Sequence, residues 1–108
     1  MSRIRRDRFY RARGGSAQLV RLVCGRCRTF LCVYQKDGMG NLLRIYWDRV
    51  SDLRDHAEYS PGATQDEMSP LLCDGCGHLL GVPMTYADED RLAWRLERGA
   101  VHKTRRKK

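Results

Sequence analysis

Two cysteine pairs of identical spacing, Cys24-Gly25-Arg26-Cys27 and Cys73-Asp74-Gly75-Cys76, constrain this chain more than any other feature. A two-residue spacer lets one tight turn aim both sulfurs of a pair at a common point, with backbone N–H groups to stabilise the thiolates. Two such pairs supply the four soft ligands of a tetrahedral site. In a chain of 108 residues the pattern points to one structural Zn2+ held on two zinc knuckles by Cys24, Cys27, Cys73 and Cys76, rather than to disulfides or a redox pair. A catalytic zinc keeps a position open for water. Four cysteines close the coordination sphere, so the expected metal is structural and non-catalytic. Its apparent binding energy, roughly 10 to 16 kcal/mol, rivals the whole stability of a small domain, about 5 to 15 kcal/mol. Metal removal is therefore expected to unfold the chain.

Five cysteines cannot all pair, and four have metal spacing, so a reducing compartment such as the cytoplasm is expected. The basic start is followed by no apolar run of signal-peptide length, and no stretch is long enough to span a bilayer, so no membrane association is expected. An Arg-rich, acid-poor start also fits a mitochondrial transit peptide.

The net charge of +8 is concentrated at the ends. Met1 to Arg13 holds six arginines, Arg3, Arg5, Arg6, Arg8, Arg11 and Arg13, against the single acid Asp7, while Lys103, Arg105, Arg106, Lys107 and Lys108 close the chain with no acid among them. Between them, ten basic and twelve acidic residues leave the body slightly negative. The expected organisation is thus a disordered basic arm over 1–16, a zinc-binding β domain over 17–102 and a basic tail over 103–108. Gly14, Gly15 and Ser16 read as a flexible joint. Phe9 and Tyr10 among arginines suit RNA, where guanidinium groups meet phosphates and rings stack on exposed bases; a solvated leader that only aids solubility is the bland alternative.

Ala17 to Cys24 reads as a strand entering the first knuckle and Thr29 to Gln35 as its return. Cys32, the odd cysteine, lies in that apolar strand and reads as a buried small hydrophobe. After the KDGMGN turn at Lys36 to Asn41, Leu42 to Trp47 reads as a strand that Val50 extends beyond a bend at Asp48. Ser51 to Met68 is polar and reads as a long loop; its His56 is a weak candidate for acid–base chemistry. His78 is close to the second knuckle, but four cysteines already fill the sphere. Leu79 to Tyr86 reads as a strand. Ala87 to Arg98 is ambiguous: Leu92, Trp94 and Leu96 alternate as in a strand, while Asp88 as N-cap, acids in a first turn and Gly99 beyond favour a short helix. Ala100 to Thr104 reads as a final strand.

At the second knuckle, Leu80 and Gly81 within CDGCGHLLGVPM resemble the β-tent zinc proteins, a group that includes the yippee proteins, the thalidomide-binding domain of cereblon and the B-type methionine sulfoxide reductases. The 45 residues between the cysteine pairs also suit that group, GNLLRIYWDRV at Gly40 to Val50 is similar to the central yippee strand, and ERGAV at Glu97 to Val101 to its last turn and strand. The resemblance implies a mainly β domain of two antiparallel sheets meeting at an angle and pinned at one edge by zinc. The reductases carry a catalytic cysteine in the last strand and a histidine after the Leu-Gly step; here no cysteine follows Cys76, and Val82 stands in the histidine's place. Val82 and Met84 replace the tryptophan and phenylalanine of the cereblon ligand cage, leaving Trp47 and Trp94 as expected core residues. No catalytic residue is expected.

The expected function is a non-enzymatic zinc module that binds nucleic acid, RNA before DNA and structured RNA such as a ribosome's above all, through its basic arms, joined by Arg26 and Arg28 on the first knuckle. A protein-interaction or small-ligand module, with arms for solubility or localisation, is the alternative.

Overall fold

The computed structural model describes residues 4–38, 40–53 and 59–105. Eight strands run among the described residues: β1 (Ala17–Cys24), β2 (Phe30–Asp37), β3 (Arg44–Tyr46), β4 (Val50–Ser51), β5 (Leu71–Leu72), β6 (Leu79–Tyr86), β7 (Arg91–Leu96) and β8 (Val101–Arg105). They form two antiparallel sheets, one ordered β4-β2-β1-β8 and the other β3-β7-β6-β5. The two-sheet, mainly β architecture expected from the sequence is the one observed.

Alternation in the apolar strands sets which face is buried. On β1, Val20, Leu22 and Cys24 face the second sheet; on β2, Cys32 and Tyr34 join them, paired to Leu22 and Val20. Ile45, Leu71, Leu80 and Trp94 complete the core from the other sheet, all at or below 1% exposure, and Trp47 meets Trp94 edge to face at 5.9 Å. Both tryptophans are core residues, as expected. The Leu80-Gly81 step has a steric basis. A Cβ at Gly81 would stand 3.0 Å from the Arg95 carbonyl and 3.3 Å from the Trp94 side chain, so glycine lets β6 lie close against β7.

Three expectations are corrected. The segment 88–98 is not a helix: Arg91–Leu96 is a strand flanked by β3 and β6, where ladder hydrogen bonds on both sides satisfy its backbone. The acids that resemble a first helical turn form the β6–β7 turn instead, with Glu89 N–H donating to Tyr86 O and Asp90 N–H to Ala87 O. Val50 does not prolong β3. A 3-10 turn over Trp47–Arg49 carries the chain to the other sheet, where Val50 pairs with Tyr34 and Ser51 with Val33.

The third correction concerns the N-terminal arm. Residues 8–12 form a short helix, α1 (Arg8–Ala12), capped by Asp7, whose carboxylate accepts from the Phe9 and Tyr10 amides at 3.1 and 3.2 Å. The same carboxylate receives both terminal nitrogens of Arg49, at 2.6 and 3.0 Å, and Arg49 Nε donates to Asp37 at 3.0 Å. Arg13 makes a two-pronged ion pair with Glu89, both contacts 2.9 Å. The guanidinium of Arg91 lies between the rings of Phe9 and Tyr46, 3.9 and 3.7 Å from their centroids. Arg5 and the Gln35 side chain exchange two hydrogen bonds, 2.6 and 2.9 Å. Gly14 and Gly15, both at positive φ, bond back to Arg11 O and Tyr10 O and close the helix rather than serving as a loose joint. The ion-pair partners of the arm, Glu89 for Arg13 and Arg49 for Asp7, lie far away in sequence, so its local charge excess does not keep it free.

In the polar stretch between β4 and β5, Tyr59 packs edge to face on Trp47 at 5.7 Å, Gln65–Glu67 forms a capped 3-10 turn, and Met68 is buried. His56 lies outside the described residues. Among the described residues, no helix is long and apolar enough to cross a membrane.

Candidate metal centre and basic surfaces

The first knuckle is mounted on the β1–β2 hairpin and the second on the β5–β6 hairpin, one from each sheet. Their backbones match bond for bond. Cys24 N–H donates to Thr29 O while Cys24 O accepts from Arg28 N–H; Cys73 N–H donates to His78 O while Cys73 O accepts from Gly77 N–H. The fifth position of each turn is left-handed, φ 68° at Arg28 and 75° at Gly77, so the first knuckle carries a side chain where the second uses the residue best suited to that conformation.

This pairing brings the four predicted sulfurs together, all within 4.8 Å of one another, with Cys27 to Cys73 at 3.4 Å and Cys24 to Cys76 at 3.8 Å. These are not disulfide distances, which lie near about 2.05 Å. They match a metal-centred tetrahedron, whose sulfurs stand about 3.8 Å apart when each bond is about 2.3 Å. Cys24 and Cys73 are buried while Cys27 and Cys76 are exposed, so the cluster sits at the surface with one cysteine of each pair rooted in the core.

Donors converge on the sulfurs. Arg26 N–H lies 3.4 Å from Cys24 Sγ and Gly75 N–H 3.3 Å from Cys73 Sγ, the same position in each turn. Thr29 Oγ1 is 3.0 Å from Cys27 Sγ, and this hydroxyl together with the Thr29 amide draws the Cys27 thiol down to about 6. At Cys76 the His78 amide also favours the thiolate, but burial and hydrogen bonds with Cys27, Cys73 and Cys24 outweigh it and push the thiol up to about 11. Four clustered thiols without a cation share protons; a divalent ion would ionise all of them. The donor set fits a soft, closed metal site.

Thr29 and Gly75 were not singled out by the spacing, yet they set how closely the knuckles approach. A Cβ on Gly75 would fall 2.2 Å from Thr29 Oγ1 and 3.2 Å from Cys27 Sγ. His78 is half-buried, with Nδ1 3.4 Å from Arg26 Nη1, beside the cluster rather than in it.

Cys32 is buried among core side chains, and desolvation pushes its thiol up to about 12. A neutral, enclosed thiol is a packing group.

The predicted basic residues fall into separate groups. Arg5, Arg6, Arg8 and Arg11 are exposed around α1, whereas Arg13 is half-buried in its pair with Glu89. Arg26 and Arg28 are exposed on the first knuckle, at the Cys24 end of β1. Lys103 is exposed on β8, and Arg105 ends that strand opposite Val20. Arg3, Arg106, Lys107 and Lys108 lie outside the described residues. Comparisons with protein-family models, curated proteins and solved structures found no match.

Proposed function

We propose that this protein is a non-enzymatic module folded around one structural Zn2+ and that its exposed basic residues engage nucleic acid, RNA in preference to DNA. The carrying observation is the four-sulfur cluster: one metal with four thiolates has no open position for substrate or water, which favours a scaffold role. Two sheets joined through that cluster, together with the Leu80-Gly81 step, support placing the chain with the β-tent proteins, the yippee-like ones among them. The burial of Cys32 supports the absence of a nucleophile.

For the nucleic-acid part, the support is electrostatic. Arg5, Arg6, Arg8, Arg11, Arg26, Arg28 and Lys103 are exposed, and none forms an ion pair among the described residues. Arg26 and Arg28 also stand beside a cluster that would carry −2 once metallated, so part of their charge offsets the thiolates. Arg13 is committed to Glu89 and leaves the binding set.

Because α1 is built into the fold, deleting residues 1–16 would confound binding with stability. The test is filter binding of single-stranded RNA across a salt series by the wild type and by a variant with Arg5, Arg6, Arg8 and Arg11 changed to Gln. With about six to eight phosphate contacts in the wild type, the log–log salt slope should be about −4 to −6, and the variant should lose about 3 units of it. Equal slopes would refute the reading. Metal analysis of the purified chain should give one zinc per molecule; a chain that folds fully in chelator would refute the zinc part.

A further inference from the structure

A cleft of about 300 Å3 opens between the end of β2, the segment Asn41–Leu43, β3 and Arg13, at the lower end of the size range of small-molecule sites. Six of the side chains on its wall can donate a hydrogen bond: Arg13, Tyr34, Lys36, Asn41, Arg44 and Tyr46. Tyr34 Oη accepts the Tyr46 amide at 3.0 Å, and Tyr46 Oη lies 3.2 Å from Arg13 Nη2 and 3.3 Å from Arg44 Nη1, so both phenols keep their own protons to give. The one carboxylate on the wall, Asp37, is already engaged by Arg49 and by Gln35.

Among the described residues, two cations on the wall have no carboxylate of their own. Lys36 is only 9% exposed, and its amine makes one hydrogen bond, to Gly38 O at 3.1 Å, with no ion pair among the described residues. Lysine is almost never so enclosed without a partner. Arg44 stacks over Tyr86 at 4.4 Å and likewise has no ion pair. Burial and the nearby charge of Lys103 depress the Lys36 amine against the pull of Asp37, which an anion in the cleft would relieve.

We propose that this cleft binds a phosphate monoester group, held by Lys36 and Arg44 with Tyr46 and Asn41 as further donors. A monoester carries about −1.5 to −2 charges at neutral pH and three acceptor oxygens, matching two unpaired cations and a donor-rich wall better than a single carboxylate does. The site is separate from the exposed arginines and does not depend on their binding RNA.

The test is a 31P NMR titration of the full, zinc-loaded chain with inorganic phosphate and with a 5′-mononucleotide. Lys36→Met and Arg44→Gln should each weaken binding about tenfold, the effect of one charged hydrogen bond, with circular dichroism and zinc content unchanged. Arg21→Gln, the same loss of charge on the outer face of β1, should leave affinity unaltered. Tighter binding of the mononucleotide identifies a free phosphate ester as the ligand; tighter binding of a 5′-phosphorylated than a 5′-hydroxyl oligonucleotide, abolished by Lys36→Met, assigns the group to a strand end. No saturable binding at about 10 mM phosphate, or equal weakening by Arg21→Gln, would overturn the proposal. If Lys36→Met fails to fold, Arg44→Gln decides alone.

Discussion

Replacing Arg49 by Met should be among the most damaging single changes outside the cysteines. The Arg49 side chain is 1% exposed and holds two carboxylates, Asp37 at 5% exposure and Asp7 at 39%. Removing the guanidinium affects them unequally. Asp7 can return to water while still capping α1, but Asp37 is left as a buried charge whose one remaining side-chain donor is Gln35 Nε2 at 2.8 Å. An uncompensated buried partner of this kind costs about 3 to 5 kcal/mol. With a urea slope of about 1 to 3 kcal/mol per molar, the midpoint should fall by about 2 M. The assay is urea unfolding of the zinc-saturated protein at fixed metal concentration, followed by the fluorescence of the buried Trp47 and Trp94. Adding Asp37→Asn should recover at least about 1 kcal/mol, because Asn keeps an oxygen for Gln35 and removes the orphaned charge. A midpoint for Arg49→Met within about 0.5 M of wild type, or a double variant weaker than the single one, would refute the assignment of this ion pair to the fold.

Chelation should expose both tryptophans together, seen as a red shift in emission, and readdition of Zn2+ should reverse it; emission unchanged by a strong chelator would count against metal-dependent folding. Gly75→Ala should weaken metal affinity, because its new methyl would press on Thr29 Oγ1 and Cys27 Sγ; competition against a zinc indicator measures this, and an unchanged constant would contradict the close approach of the knuckles. Arg28→Gly should fold at least as stably as wild type, relieving a left-handed penalty of about 1 kcal/mol, as Gly77 does in the matching turn; a lower urea midpoint would speak against that equivalence.

The four-cysteine cluster and most strands were legible because their signals are local. Cysteine spacing fixes each knuckle, and the apolar runs at Ala17–Cys24 and Leu79–Tyr86 coincide with β1 and β6. What was not legible depends on partners distant in sequence. Asp88, Glu89 and Asp90 carry the chemistry of a helix start, but β3 and β6 on either side make the following residues a strand, a case of tertiary pairing overriding a local cap. The arm is the same lesson in electrostatics. Six arginines and one acid look self-repelling until Glu89 is brought to Arg13 and Arg49 to Asp7, and no spacing within residues 1–16 encodes those meetings. Donors to sulfur were partly readable: Thr29 is two residues past Cys27, but only the fold turns its hydroxyl onto that sulfur.

The two devices that join the sheets sit at opposite ends of the same strands. Cys24 closes β1 as one of the four clustered cysteines, while Ala17, at its start, pairs with Asp37, the acid that holds Arg49. Leu79 opens β6 just after the second knuckle, and the turn beyond Tyr86 carries Glu89, the partner of Arg13. The four-cysteine cluster, a candidate metal bridge, therefore sits at one end of the two-sheet stack, and the N-terminal segment fastens the other. Their strengths differ. A four-thiolate zinc site contributes roughly 10 to 16 kcal/mol, whereas losing one buried ion-pair partner costs about 3 to 5 kcal/mol. Chelation should thus unfold the chain with the N-terminal fastening intact, while Arg49→Met should leave a weaker but metal-loaded fold. The consequence for function is that charge at the N-terminus has two separable uses: Asp7 and Arg13 hold the stack together, and Arg5, Arg6, Arg8 and Arg11 remain exposed on its surface, available to a polyanion without loosening it.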